Sequence, residues 1–389
     1  MQNYKINFIN SSFRRFAEQH KDDLIDAFWG CISEGRLVLR KDVSDFEDTL
    51  AKYTDTEYGI AVNSGTDALF LSCKVLNIGP GDEVITVSHT FIATIQAIVH
   101  CGATPVLIDV KQDELMDADQ IEAAITPKTK AIIPVHFHGK VCQMDKILEL
   151  AKKYNLYVIE DAAQALGSTF KGKAAGSFGD LGCFSFNTPK LLGGWGDGGG
   201  IVTNNRELCE KLYLLRNHWN MAQTSVRIDD FPTPDVVHWA WKSRMDNINA
   251  ALLNVKWKYY NQLLDRRKEI ARAYVAGLKD LPIKLPTWGD GDVIQEFIVR
   301  IGNAKERQRF KDFMDSKGIE LLIRETTPNH KVRLLGLDHF NLPITENIST
   351  DACRLPCYPE LYDSEVQEII SAIREFYTVA LKQPADDRK

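Results

Sequence analysis

Between residues 58 and 205 the chain alternates two apolar rhythms. Tyr58–Asn63, Glu83–Val87, Thr104–Ile108, Ala131–His136 and Leu156–Ile159 are short and nearly continuous apolar runs. Such runs predict strands covered on both faces. Between them, Thr66–Leu76 and Phe91–His100 space their apolar residues as helices do. Gly79–Pro80–Gly81 marks a turn. Strands and helices in alternation predict a mostly parallel sheet with helices on both sides.

The rhythm changes after residue 250. Ala250–Leu278 reads as one long helix, with Asp265–Arg266–Arg267–Lys268–Glu269 as a solvated face. Ile294–Ile301 then reads as a strand, Lys305–Ser316 as a helix and Glu365–Phe376 as a last amphipathic helix. The interleaving is less regular here. The pattern therefore predicts an α/β large domain over 1–250 and a smaller C-terminal α+β domain over 251–389.

Composition narrows the class. With 389 residues and 44% hydrophobic content, the chain can bury both cores. A net charge of -6 argues against a nucleic-acid coat, which needs a basic face. No apolar run approaches the ~18 residues that span a bilayer. Met1–Gln2–Asn3–Tyr4–Lys5–Ile6 does not resemble a signal peptide, so a cytoplasmic location is expected. Eight scattered cysteines in mostly apolar contexts fit a reduced interior. Cys353 and Cys357 lack a second pair, and His136 and His138, alternating on one strand, lack a third ligand. No metal site is expected, and the two histidines read as a packed or hydrogen-bonded pair.

The chemistry gathers at strand ends. In Cys183–Phe184–Ser185–Phe186–Asn187–Thr188–Pro189–Lys190 an apolar strand runs into a turn and a lysine, followed by a glycine-rich hairpin. Upstream, Ile159–Glu160–Asp161 ends another strand on a carboxylate. A lysine able to form a Schiff base and an acid able to hold a pyridinium nitrogen are the two parts a pyridoxal phosphate (PLP) enzyme needs. Asp161 read alone is equally a solvated strand-end acid. Asn63–Ser64–Gly65–Thr66 is either an ordinary N-cap or an anion site at a helix N-terminus. Ser185 adds a hydroxyl if the two loops meet at one sheet edge, where open α/β sheets bind ligands. Gln164 is placed to reach a ring oxygen and Phe91 to stack on a ring. Gly194–Trp195–Gly196–Asp197–Gly198–Gly199 matches G-x-G-x-x-G, but Gly200–Ile201–Val202–Thr203 after it reads as a strand. That argues against a dinucleotide site and for a hairpin allowing close approach.

Taken in order, these motifs resemble the DegT/DnrJ/EryC1/StrS family of sugar aminotransferases. Asn63–Leu69, Thr90–Thr94, Glu160–Gln164, Ser185–Lys190 and Gly196–Gly199 carry the resemblance, with Ser243–Asp246 and Leu355–Leu361 extending it over nearly the whole chain. It implies the aspartate aminotransferase-like fold type I of PLP-dependent transferases, in a homodimer with shared active sites. It implies that Lys190 forms the internal aldimine and shuttles protons, that Asp161 pairs with the pyridine nitrogen, and that Gln164 contacts the ring oxygen while Phe91 stacks. Gly65, Thr66 and Ser185 would hold the phosphate. The family usually adds an Asn from the neighbouring subunit, and here Lys242 stands at that position, able to meet phosphate as a point charge. The implied reaction moves the amino group of L-glutamate, through pyridoxamine phosphate and with release of 2-oxoglutarate, to a nucleotide-linked keto sugar.

Asp197, where other members carry Glu, points to C-3 of the sugar, with C-4 the alternative. Asn187–Thr188–Pro189, Arg324–Glu325–Thr326 and Trp219 after His218 depart from the family pattern where substrate contacts are expected. Arg36, Arg216, Lys242 and Arg324 are candidates for the diphosphate, and Asn187 and His218 for the sugar. A related dehydratase carries His at the Schiff-base position, so Lys190 argues against that activity. A non-catalytic PLP-binding sensor remains the rival of another class.

Overall fold

The computed structural model describes residues 4–8, 10–219, 239–323 and 326–380. Three helices come first: α1 (Asn10–Gln19), α2 (Lys21–Ser33) and α3 (Lys41–Tyr53). The alternating region follows as β1 (Tyr58–Val62), α4 (Gly65–Val75), β2 (Glu83–Val87), α5 (Ala93–His100), β3 (Thr104–Ile108), α6 (Ile121–Ala124), β4 (Thr129–Ile132), α7 (Met144–Tyr154) and β5 (Tyr157–Asp161). After a small hairpin, β6 (Thr169–Phe170) and β7 (Lys173–Ala174), come β8 (Leu181–Ser185), β9 (Gly199–Thr203) and α8 (Arg206–Leu215). The rest is α9 (Asn247–Trp257), α10 (Tyr260–Leu278), β10 (Phe297–Arg300), α11 (Ala304–Ser316), α12 (Pro343–Asp351), β11 (Ala352–Leu355) and α13 (Asp363–Ala380).

The central sheet has seven strands in the order β1-β9-β8-β5-β4-β2-β3. Pairing is parallel from β3 through β8, and only β9 runs against its neighbours. The apolar runs are buried on both faces because helices cover both. A second core lies around the antiparallel pair β10–β11, α11 and α13. Ile6, near the start of the chain, also belongs to this second core.

Three expected boundaries moved, each for a local reason. The run 131–136 leaves the regular ladder after Ile132, because Pro134 has no N–H to contribute. His138 falls in a 3-10 turn with φ 57°, so it and His136 do not share a strand face. Helix α5 begins at Ala93, not Phe91, because Asn329 Nδ2 donates to the carbonyls of Ser88 (2.9 Å) and Thr90 (2.8 Å) and holds that turn out of helix. The long helix expected over 250–278 is two, broken after Trp257. Leu253, Tyr260 and Leu264 pack into the sheet's core, whereas Ile270, Tyr274 and Leu278 pack into the second. The chain thus passes from one core to the other along α10.

Candidate active site

A cavity of about 530 Å³ opens at the carboxyl ends of the parallel strands. Its lining comes one or two residues at a time from the turns after β1, β2, β4, β5 and β8, and Lys190 reaches it from the loop after β8. This is where an open α/β sheet exposes strand-end groups and helix N-termini together.

One corner suits an anion. Ser64 Oγ accepts from the Asp67 N–H at 3.1 Å and caps α4, so the N-cap reading is correct for Ser64. Gly65 and Thr66 open the helix beside it, where the helix dipole favours negative charge. Gly65 is required by space. A Cβ there would stand 2.7 Å from Ser185 Cβ, so the loops after β1 and β8 do meet.

Another part of the cavity carries a buried carboxylate and an exposed aromatic ring. Asp161 is buried, with Oδ2 accepting from Thr94 Oγ1 at 2.7 Å and Oδ1 from the Ala163 N–H at 3.2 Å. Thr94 is in turn 2.7 Å from Thr90 Oγ1, so a hydroxyl pair fixes the carboxylate's rotation. The Gln164 side-chain oxygen accepts from the His138 N–H at 2.9 Å, which turns its NH₂ group away from that contact. Phe91 is 62% exposed at the cavity edge, an open aromatic face. Thr94 and His136 were missed as site residues by the sequence reading. His136 follows β4 much as Asp161 ends β5, so the same strand-end rule could have found it. It is fully buried, with Nε2 2.8 Å from Glu160 Oε2. The Cys142 N–H donates to its Nδ1, which leaves the ring proton on Nε2 facing the acid.

Lys190 ends a tight turn that starts at Asn187, its N–H donating to Asn187 O at 2.9 Å. Gly193 closes the turn against the Thr188 carbonyl, where a Cβ has no room. Asn187 Nδ2 donates to Asp197 Oδ1 at 2.6 Å, which brings the two residues flanking the hairpin to the cavity together.

Other expected contacts lie elsewhere. Arg216 is fully buried, paired with Glu47 and donating to Ala61 O at 2.5 Å, so no substrate reaches it in this fold. It faces inward because α8 packs on β1. Arg36 pairs with Glu34 and Asp42 outside this cavity. His218 and Lys242 are exposed and also outside it. Arg324 lies outside the described residues.

Behind the turn after His136, His89, Glu114 and His138 bring ligand-type atoms within 4.8 Å of one another. Arg300 stands 3.3 Å from Glu114, and Arg354 bonds Glu296 at 2.6 Å. Glu296 also lies 3.3 Å from His138 Nδ1. Burial opposes protonation of His138, but Glu114 and Glu296 outweigh it and hold the imidazole above its usual range. The trio is thus a neutralised ion network between the two cores.

Comparison with known proteins agrees with this geometry. Residues 18–374 match the DegT/DnrJ/EryC1/StrS aminotransferase family. The chain is 37% identical to the dTDP-3-amino-3,6-dideoxy-alpha-D-galactopyranose transaminase of Aneurinibacillus thermoaerophilus, covering 95% of this chain and 97% of that one. It is 36% identical to the UDP-N-acetyl-3-dehydro-alpha-D-glucosamine 3-aminotransferase of Acidithiobacillus ferrooxidans, over 91% and 94%. The crystal structure of NtdA from Bacillus subtilis with its cofactor PMP superposes with a TM-score of 0.87 at 28% identity, over 97% and 87%. The residues present fit that cofactor: an anion corner with no room for a Cβ, a buried carboxylate, an open aromatic face and a lysine at a strand exit. The chain belongs to the DegT/DnrJ/EryC1/StrS aminotransferase family and is a PLP-dependent enzyme of fold type I.

Proposed function

We propose that this enzyme transfers the amino group of L-glutamate to C-3 of a nucleotide-linked keto sugar. The observation that carries the reading is the convergence of Lys190, Asp161 and the Gly65–Ser185 corner on one cavity. Two relatives at 36% and 37% identity whose names specify 3-amino sugars support the position. Bound here, PLP supplies an aldehyde for the amino group and a ring that accepts the electrons of a breaking C–H bond.

The chain's own residues do the rest. Gly65, Thr66 and Ser185 would hold the phosphate. Asp161, kept from rotating by Thr94, would hold the proton on the pyridine nitrogen by Coulomb attraction in a buried site. Gln164 would donate from its NH₂ group to the ring oxygen, and Phe91 would cover the ring face. Lys190 Nζ would carry the cofactor at rest and, once the amine of glutamate has displaced it, would be the base that takes the α-proton. The keto sugar enters after 2-oxoglutarate leaves, so the kinetics are ping-pong.

A second observation supports a homodimer. On α2, Ile25, Phe28, Trp29 and Ile32 form a stripe at i, i+3, i+4 and i+7, all exposed, Trp29 by 62%. A stripe of that size suits a second copy. No helix among the described residues is long and apolar enough to cross a membrane, and a cytoplasmic enzyme fits the sequence.

The test is a screen of UDP-, GDP- and dTDP-linked 3- and 4-keto sugars with glutamate, with the product identified by mass and NMR. A 3-amino sugar from one of them is expected. Cofactor binding without conversion of glutamate to 2-oxoglutarate would favour a sensor instead.

A further inference from the structure

The peptide groups on both sides of Lys190 are held by one side chain. Gln295, on the approach to β10 in the second core, is 6% exposed. Its Nε2 donates to Pro189 O at 2.8 Å, and its Oε1 accepts from the Leu191 N–H at 3.0 Å. The first bond fixes the peptide entering Lys190 and the second fixes the one leaving it. The side-chain amide therefore acts as a one-residue strand partner for the lysine.

Gln295 is itself immobilised. Arg267 Nη1 donates to its carbonyl at 3.2 Å, and its N–H reaches His138 O at 3.4 Å. The chain beyond Lys190 needs such a hold, because Gly193, Gly194, Gly196, Gly198 and Gly199 leave it a large range of backbone conformations. A lysine that must meet both a cofactor carbon and a substrate proton tolerates little displacement. A shift of about 1 Å can cost roughly a hundredfold in rate.

We infer that Gln295 is a positioning residue for the reaction. By pinning both flanking peptides it sets the direction in which the Lys190 side chain leaves the backbone, and it makes that direction depend on the seating of the smaller domain. The inference rests on the role proposed for Lys190. An amide supplies one donor and one acceptor here at every working pH. Leucine at this position supplies neither. Glutamic acid supplies both while protonated and loses the donor when it ionises.

The experiment compares Gln295→Leu and Gln295→Glu with the wild-type and Lys190→Ala full-length enzymes. In cofactor-free Gln295→Leu, amide hydrogen exchange at Leu191 should quicken roughly tenfold, the loss of one buried bond. In the loaded enzyme, kcat should fall roughly 10- to 100-fold with KM for the keto sugar within about twofold, and the pH at which the lysine-bound cofactor changes its visible absorbance should move. Gln295→Glu should keep activity at acid pH and lose it as pH rises, a dependence absent from the wild type. If Gln295→Leu does not fold, the pH profile of Gln295→Glu decides. Wild-type exchange at Leu191, or wild-type kcat and absorbance titration in a folded variant, would overturn the inference while Lys190→Ala remains inactive. An active Lys190→Ala enzyme would instead overturn the role of Lys190 itself.

Discussion

The cavity wall that hangs from the sheet and the wall behind Lys190 differ in how far apart their parts lie in sequence. The first is assembled from short segments at strand ends: Ser64–Thr66, Thr90–Phe91, Asp161–Gln164 and Ser185 each end a strand or come within a few residues of its end. The second brings Lys256 and Gln295 against the 189–193 turn, with Gln295 more than a hundred residues from its partners. Lys256 Nζ donates to Gly193 O at 2.9 Å and lies over the rings of Phe13, Phe16 and Trp195. In the proposed mechanism the front wall supplies the groups that touch ligand, and the rear wall those that fix where Lys190 points. Changes in front should therefore remove chemistry, and changes behind should alter geometry and stability.

The largest effect belongs to Lys190→Ala. It should lower turnover by roughly 10⁴-fold or more and abolish the visible absorbance of the bound cofactor, with the circular dichroism of the fold retained. Asp161→Asn keeps the shape and deletes the charge. Its kcat should fall roughly a hundred- to a thousandfold, read in single-turnover deamination of glutamate. Gly65→Ala places a methyl 2.7 Å from Ser185 Cβ in the anion corner. Cofactor affinity measured by equilibrium titration should weaken by roughly 10- to 100-fold, the size of an overpacking penalty.

Behind the lysine, Lys256→Met sharpens the contrast because it should move stability more than rate. Burial pulls the Lys256 ammonium down to about 8. The unfolded chain then holds one more proton between pH 8 and about 10.4, so wild-type stability rises through that window. Relative to Lys256→Met, the wild type should gain up to about 3 kcal/mol across it, read from urea melts at stepped pH. A flat difference would mean that the folded chain leaves the proton affinity of this amine as it is in water.

The front wall was legible in the sequence for a physical reason. An apolar run buried on both faces has to end where its backbone meets solvent, and the next few residues carry whatever chemistry the sheet edge presents. Asp161, Gly65, Ser185 and Lys190 all follow that rule. His136 obeys it too and was overlooked, because its alternation with His138 suggested a shared strand face that Pro134 and the 3-10 turn prevent. Arg216 misled in the other direction. Its neighbourhood signals substrate, but the packing of α8 on β1 turns the guanidinium onto Glu47. The rear wall leaves no local signature. A glutamine at the start of a strand and a lysine in an apolar helix are common, and only the folding of the second core against the 189–193 turn gives them a purpose. The break between α9 and α10 was hidden likewise, since both halves are apolar enough to continue and only their different cores separate them.

The central claim is that Lys190 carries the cofactor in the resting enzyme. Borohydride reduction of the purified holoenzyme, followed by proteolysis and peptide mass spectrometry, tests it directly. The reduced cofactor should be found on the peptide containing Lys190 and on no other lysine. A stable adduct at Lys242 or Lys256, or a yellow protein from which reduction fixes nothing to the 183–200 segment, would contradict the assignment.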